Sequence, residues 1–422
     1  MIPFRFIQCG DLHLGAPFKS MPTLSSSMDE VLRRATYRSF ENIVKLAVTN
    51  RVDALFITGD IYNTDDHNIE AQVFFSRCCH QLAQADIPVY LIHGNHDLLQ
   101  ENTNRIALPK NVRVFDGSGK ERYPLVVHGQ EVAAVYGMSL SPETVRMDCV
   151  KRLTPQQTDT YSIALWHGTV GAQPAHEVVA PCSLEALKNA GFDYWALGHI
   201  HKRQVLNEMP YVVYAGNSQG LHRKEVGAKG CYLVQVSSNG HCELRFKETE
   251  AVRFESVTID ISGLSAMSDI EAMLRHEQEV LRRYKKPCLM DITFTGRGSL
   301  HSLCADETVR KSWLDMLIEG EQGLPNFIVP IRMDDQSRPD IDLVERRRLH
   351  DMAGDYLIAY DKTAKQEPAD CLASLREILE NRPEAKRLGA YKSFLTDDLL
   401  EKALSRAELE GALKLVGDMD ED

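Results

Sequence analysis

The stretch Pro88-Val89-Tyr90-Leu91-Ile92-His93-Gly94-Asn95-His96-Asp97 decides the fold. An apolar run of strand length stops abruptly in a glycine, an amide, an imidazole and a carboxylate. That ending makes little sense as packing. It makes good sense as the rim of a catalytic sheet, because α/β folds carry their working groups just past the C-termini of their strands. Other apolar runs end the same way. Residues 5–9 lead into Gly10-Asp11-Leu12-His13-Leu14-Gly15, and residues 54–58 into Gly59-Asp60-Ile61-Tyr62-Asn63. Residues 161–165 are followed by Trp166-His167-Gly168, and residues 193–197 by Gly198-His199-Ile200-His201.

Between the first three runs the spacing predicts helices. One begins at a capping box of Ser27 with Glu30 and continues to about residue 50, and a second covers about 69–85. Strand–helix–strand alternation implies crossover connections rather than a meander. Short strands follow at 112–115, 125–128, 131–138, 212–214 and 231–236. The expected fold is therefore α/β, two sheets packed face to face and flanked by helices (αββα). Past Glu250 the histidine-bearing strand ends stop. Strands near 252–261, 288–294 and 327–331 with helices near 269–284 and 309–318 make a small α+β module, and beyond Arg338-Pro339 the chain reads as helical and charged. The expected domains are 1–250, a catalytic sandwich; 251–338, an α+β capping domain; and 339–422, a helical partner-docking region.

Composition narrows the class. At 422 residues, 43% hydrophobic and 26% charged, the chain is globular, with no apolar run of membrane-spanning length. The first residues lack the basic lead and long apolar core of a signal peptide, and the ten cysteines show no CxxC, so a cytoplasmic location is expected. Residues 1–250 hold 24 Lys+Arg against 26 Asp+Glu, whereas the remainder holds 24 against 34, so the net −12 is concentrated C-terminally. Of the 15 histidines, 12 lie in the first 250 residues, which places metal chemistry there. Net acidity argues against a DNA-coating protein but leaves local basic contacts open.

The strand ends supply Asp11, His13, Asp60, Asn95, His167, His199 and His201: two carboxylates, one amide oxygen and four imidazoles. Such mixed N/O donors suit first-row divalent ions, and the lack of nearby thiolates argues against a structural zinc site. Seven donors exceed what one ion needs but fit two ions about 3.5–4 Å apart. Any one of these histidines taken singly is better explained as a satisfied polar residue; the joint pattern is not.

The ordered series DLHLG, GD, GNHD, WHG and GHIH resembles the calcineurin-like metallophosphoesterase superfamily, and more finely its SbcD-type DNA repair nucleases, the bacterial YhaO-like branch included. The resemblance implies that Asp11, His13 and His201 hold a first metal, that Asn95, His167 and His199 hold a second, and that Asp60 bridges them. It implies two divalent ions, most simply Mn2+ with Mg2+, Fe2+ or Zn2+ as alternatives. A hydroxide between them would be the nucleophile, and His96 would serve the scissile phosphate and the leaving oxygen. Where the wider superfamily has an Asp, and archaeal repair nucleases a His, to orient that histidine, this chain has Asn63. An amide can hydrogen-bond an imidazole but cannot stabilise an imidazolium as a carboxylate does. Asp65 or Asp66 could substitute.

Lys202 and Arg203, and His222, Arg223 and Lys224, are either DNA-phosphate contacts or solvated basic loops. Two C-terminal stripes, residues 371–379 and the Ser405/Glu408 capping box followed by Leu409, Ala412, Leu413 and Val416, either pack internally or dock on a partner. The resemblance names that partner as an SMC-like coiled-coil ATPase, and it implies a homodimer of catalytic domains. The function expected is a metal-dependent DNA nuclease, exonuclease or endonuclease, in double-strand break repair. Two alternatives stand beside it: a phosphodiesterase or phosphatase acting on small nucleotides or phosphoproteins, and an inactive scaffold of an ATPase complex.

Overall fold

The computed structural model describes residues 1–63, 69–99, 106–172, 177–366, 368–382 and 396–417. Asp65, Asp66, His67 and His176 lie outside the described residues. The chain folds into two compact units. The first contains 1–259, 271–293 and 310–334; the second contains 260–270, 294–309 and 335–422.

In the first unit, β1 (Phe4–Cys9), β2 (Ala54–Thr58), β3 (Val89–Ile92) and β4 (Val112–Val114) run parallel as neighbours. Sheet partners β11 (Gly230–Val236) and β12 (Cys242–Glu248) extend the β1 edge antiparallel. The second sheet comprises β5 (Arg122–Val127), β6 (Gln130–Gly137), β7 (Ser162–His167), β8 (Tyr194–Gly198), β9 (Gln204–Glu208) and β10 (Tyr211–Tyr214), in the order β5-β6-β7-β8-β10-β9. Its central four strands, β6, β7, β8 and β10, are parallel, with β5 and β9 antiparallel at the edges. Each sheet thus has a parallel core whose C-terminal ends open on one rim.

Parallel strands buried on both faces read as continuous apolar runs, and β2, β3, β7 and β8 are buried at every position. Phe6, Phe56, Ile92, Ile163, Tyr194 and Val213 are among the residues that fill the layer between the sheets. On the outer face of the first sheet lie α1 (Ser26–Asn50) and α2 (Ile69–Gln84), through Phe40, Ile43, Phe74 and Phe75 among others. The outer face of the second sheet is covered by loops and by α3 (Leu184–Asn189). The expected αββα sandwich is the observed one.

Three local readings change. Ser25, not Ser27, caps α1, its hydroxyl accepting from the Met28 amide. Strands β9 and β12 were not expected: their burial is mixed and their composition polar, as edge strands allow. Ser405 caps nothing, because it lies inside the helix Asp397–Gly417. The third sheet, β13 (Arg253–Asp260), β14 (Cys288–Thr295) and β15 (Ile328–Asp335), is ordered β13-β14-β15. Phe254, Leu289, Phe327 and Val329 from it pack on Met28, Leu32 and Ala35 of α1, all within the first unit.

In the second unit the helix Asp397–Gly417 packs Leu409, Ala412, Leu413 and Val416 against Ile341, Tyr356 and Leu357. Glu408 forms ion pairs with Arg347 and Lys365. That stripe is therefore used inside the unit. Ile378, on the helix Pro368–Glu380, is 58% exposed. No helix among the described residues is long and apolar enough to cross a membrane.

Candidate metal centre

The rim formed by the C-terminal ends of β1, β2, β3, β7 and β8 gathers the seven expected donors. Asp11 and His13 follow β1, Asp60 follows β2, Asn95 follows β3, His167 ends β7, and His199 and His201 follow β8. Among the described residues, two groups of His and acidic side chains have ligand atoms close enough to hold an ion: Asp11 with His13 and His201, and Asp11 with Asp60 and His167. Asp60 Oδ2 lies 3.8 Å from His13 Nε2 and 3.5 Å from His167 Nε2, so one carboxylate oxygen stands between the two histidine sets.

The backbone is bent hard to achieve this. Asp11, His13, Asp60 and His199 all adopt positive φ, at 49°, 43°, 51° and 96°. Residues held in this region cost about 1–3 kcal/mol each and concentrate at functional sites. Close approach also explains Gly94, whose φ is not positive: a Cβ there would collide with Asp60 Oδ1 and sit 2.6 Å from His167 Cε1.

The imidazoles share one arrangement. Each has one ring nitrogen against an oxygen that can only accept, which fixes that nitrogen as N–H. His13 Nδ1 donates to Asn63 Oδ1 at 2.8 Å, His201 Nδ1 to Glu225 Oε1 at 2.5 Å, and His167 Nδ1 to the Thr58 carbonyl at 2.7 Å. His199 Nε2 donates to the Glu177 carbonyl at 2.9 Å. In the neutral rings the second nitrogen then carries a lone pair aimed at the centre. His13 Nε2 faces His201 Nε2 at 3.1 Å, while Asn95 Oδ1 lies 3.0 Å from His167 Nε2 and 3.2 Å from His199 Nδ1. Lone pair against lone pair at these distances is unfavourable unless a proton or a metal cation lies between them. Asp11 Oδ2 is buried with no hydrogen-bond partner, which costs on the order of 1–3 kcal/mol. Tautomers fixed from outside and bare acceptors inside are what metal-ligating histidines and carboxylates require. The residues present fit two divalent ions.

Protonation follows the same logic. Burial alone lowers His167, but Asp60 and Asp11 raise it to about 9, so without an ion this ring holds a second proton that a bound cation would displace. Burial and the neighbouring His167 push His199 down to about 4. Burial pushes Asp60 up, but His167 and His13 overcome it and hold the carboxyl well below its ordinary range.

Around this centre opens a cleft of about 740 Å³ lined by Asp60, Asn95, His96, His199, His201, Lys202, His222, Lys224, Glu225 and Lys229 among others. His96 is exposed on its rim, with its amide donating to Asp60 Oδ1 at 2.9 Å and its ring edge-on to His13 at 5.1 Å between centroids. Asp97 braces the turn: its carboxylate accepts from the Gly94 and Ile61 amides and from His93. Asn63, expected beside His96, has its side-chain oxygen on His13. Of the basic candidates, Lys202, His222 and Lys224 line the cleft and Arg203 an adjoining cavity, but Arg223 is held by Asp291 at 2.9 Å.

Two residues of the site escaped the sequence reading. Glu225, 7% exposed, orients His201 and lies 3.4 Å from His222 Nε2. Lys229 donates to the His201 carbonyl at 3.3 Å. Neither sits at a motif spacing; both arrive through the loop before β11, which only the tertiary fold brings to the rim.

Comparison with known proteins gives the family. Residues 4–203 match the model of the calcineurin-like phosphoesterase family. The chain is 31% identical to the uncharacterized metallophosphoesterase YhaO of Bacillus subtilis, over 80% of this chain and 83% of that protein. It is 25% identical to the SbcD component of the Escherichia coli nuclease SbcCD, over 71% of this chain and 80% of the relative. Identity to the DNA double-strand break repair protein Mre11 of Sulfurisphaera tokodaii is 26%, over 56% and 60% of the two chains. With its donor set on the shared rim of two sheets, the chain belongs to the calcineurin-like metallophosphoesterase family.

Proposed function

We propose that the protein is a DNA nuclease that hydrolyses phosphodiesters with two divalent ions, manganese foremost, and that it works in DNA repair beside an SMC-like ATPase. The observation that carries the reading is the set of seven donors converging on one rim, beside an open cleft with lysines on its wall. Two relatives, one named as part of a nuclease and one as a DNA double-strand break repair protein, support DNA as the substrate.

Bound ions would supply Lewis-acid stabilisation of the reacting phosphoryl group and activation of water. We assign Asp11, His13 and His201 to one ion, Asn95, His167 and His199 to the other, and Asp60 to both. Asn63, Thr58, Glu177 and Glu225 hold the four imidazoles in their ligating tautomers. His96 stands at the mouth of the cleft, where its ring can pass a proton to the departing oxygen. Lys202 and Lys224 neutralise the backbone of the incoming strand.

The test offers the purified protein manganese with linear duplex DNA, single-stranded DNA and a bis-phosphodiester dye. Cleavage of DNA and dye, both lost in Asp60→Ala and His96→Ala, is expected. Dye cleavage with DNA left intact, even with the ATPase added, would make it a small-substrate phosphodiesterase. Metal binding without turnover of any substrate would make it a scaffold.

A further inference from the structure

Next to the metal cleft lies a second, smaller cavity of about 260 Å³, lined by His201, Lys202, Arg203, Gly216, Gly227, Lys229 and Phe246 among others. We propose that this cavity is a subsite for the phosphodiester flanking the scissile one on a single strand, with Arg203 and Lys229 as its recognising groups. It rests on the nuclease reading above and names where the neighbouring phosphate binds.

The two spaces adjoin, with His201, Lys202, Val226 and Lys229 lining both. A strand whose scissile phosphate sits at the metal centre therefore meets the cavity next. Its volume is small against the roughly 300–1,000 Å³ of ordinary ligand pockets, which suits a phosphate group rather than a base pair.

Charge supplies the second observation. In a chain of net −12, three cations surround one small cavity. Among the described residues no carboxylate lies within ion-pair distance of Lys202, Arg203 or Lys229, whereas Arg223, a short way along the chain, is neutralised by Asp291. Glu225 and Glu250 attract Lys229 from outside the lining, but the lining itself holds three cations and no carboxylate, which favours an anionic ligand.

The third is pre-organisation. The Arg203 guanidinium lies 3.7 Å from the centroid of the Phe246 ring. Stacking on the aromatic face fixes the guanidinium plane and leaves its N–H edges free for a paired hydrogen bond to phosphate oxygens. Lys229 Nζ spends one donor on the His201 carbonyl at 3.3 Å, and two of an ammonium's three donors remain. The same bond couples the subsite to a metal-ligating residue.

The experiment uses the full-length protein and two probes: a fluorescent 5′-phosphorylated thymidine tetranucleotide, and the p-nitrophenyl ester of thymidine 5′-monophosphate, which carries one phosphodiester. Arg203→Ala and Lys229→Gln are compared with Arg245→Ala, a control that removes the same charge from an exposed site beside Glu243. Circular dichroism melts verify folding of each variant. In chelator, Arg203→Ala and Lys229→Gln are expected to weaken tetranucleotide binding at least tenfold and Arg245→Ala less than twofold. With manganese, the KM advantage of the tetranucleotide over the ester should shrink at least tenfold in the first two. Wild-type affinity and an unchanged KM ratio in both would overturn the subsite while leaving wild-type DNA cleavage, and the nuclease reading, intact. Conversely, tetranucleotide binding that depends on Arg203 and Lys229, in a protein that cuts no DNA, would keep the subsite and remove the nuclease.

Discussion

Glu225 accepts the Nδ1–H of His201 at 2.5 Å while its other oxygen takes the Leu221 amide at 2.7 Å. Burial pushes this carboxyl up, yet the His201 bond brings it down to about 2, so it is an anion at neutral pH. A buried carboxylate behind a ligand imidazole fixes the ring and raises its basicity, and loss of such partners costs roughly 10–100-fold in metal affinity. Glu225→Ala should therefore weaken one of two manganese sites by that factor in a calorimetric titration. Glu225→Gln, which keeps an acceptor without the charge, should fall between. Two unaltered sites in both variants would show that His201 needs no such support.

Asn63 and His96 separate by the same measurement. Because Asn63 Oδ1 holds His13, Asn63→Ala should weaken metal binding as well as turnover. His96 is placed at the rim, so His96→Ala should keep both metals and lower dye hydrolysis by about 10²–10⁴-fold, the usual contribution of a general acid. A His96→Ala protein that binds one metal fewer would make His96 a ligand.

What the sequence made legible follows from distance along the chain. The seven donors fall in short motifs after apolar runs, because a parallel strand must be apolar throughout and must hand its working groups to the residues just beyond. The groups that orient those donors obey no such rule. Glu225 reaches His201 across 24 residues and Asn63 reaches His13 across 50, and neither spacing belongs to a helix or strand period. Arg223 looked like its neighbours Arg203 and Lys224 until Asp291, 68 residues on, appeared beside it. The Ser405 and Ser27 caps failed because a serine with a glutamate three positions later also occurs inside helices; an N-cap needs an extended backbone, which Ser25 has.

Gly94 gives a steric prediction. Its neighbours, Asp60 and the His167 ring, are themselves site residues, so a methyl group cannot be accommodated without moving them. Overpacking of this kind costs about 1–3 kcal/mol. Gly94→Ala should lower the melting temperature of the metal-free protein and also reduce metal stoichiometry. A stable variant that loads both ions normally would show that the rim yields more easily than its packing implies.

Asp159 supplies a test of pH dependence away from the metal centre. Burial raises its pKa, but hydrogen bonds from Tyr136 at 2.6 Å, Arg122 at 2.7 Å and the Gln156 amide at 2.9 Å overcome that and leave it below the ordinary carboxyl value. A carboxylate depressed in the folded state stabilises the protein fully above its unfolded pKa, about 3.9, and that contribution disappears as pH falls through the lower folded value. Asp159→Asn should thus cost about 1–3 kcal/mol at pH 7, measured by urea unfolding in chelator. The gap to wild type should narrow below about pH 4, where the unfolded-state carboxyl takes up its proton. A gap that stays constant down to pH 3 would mean that the Asp159 charge contributes nothing to stability and that the asparagine merely packs worse.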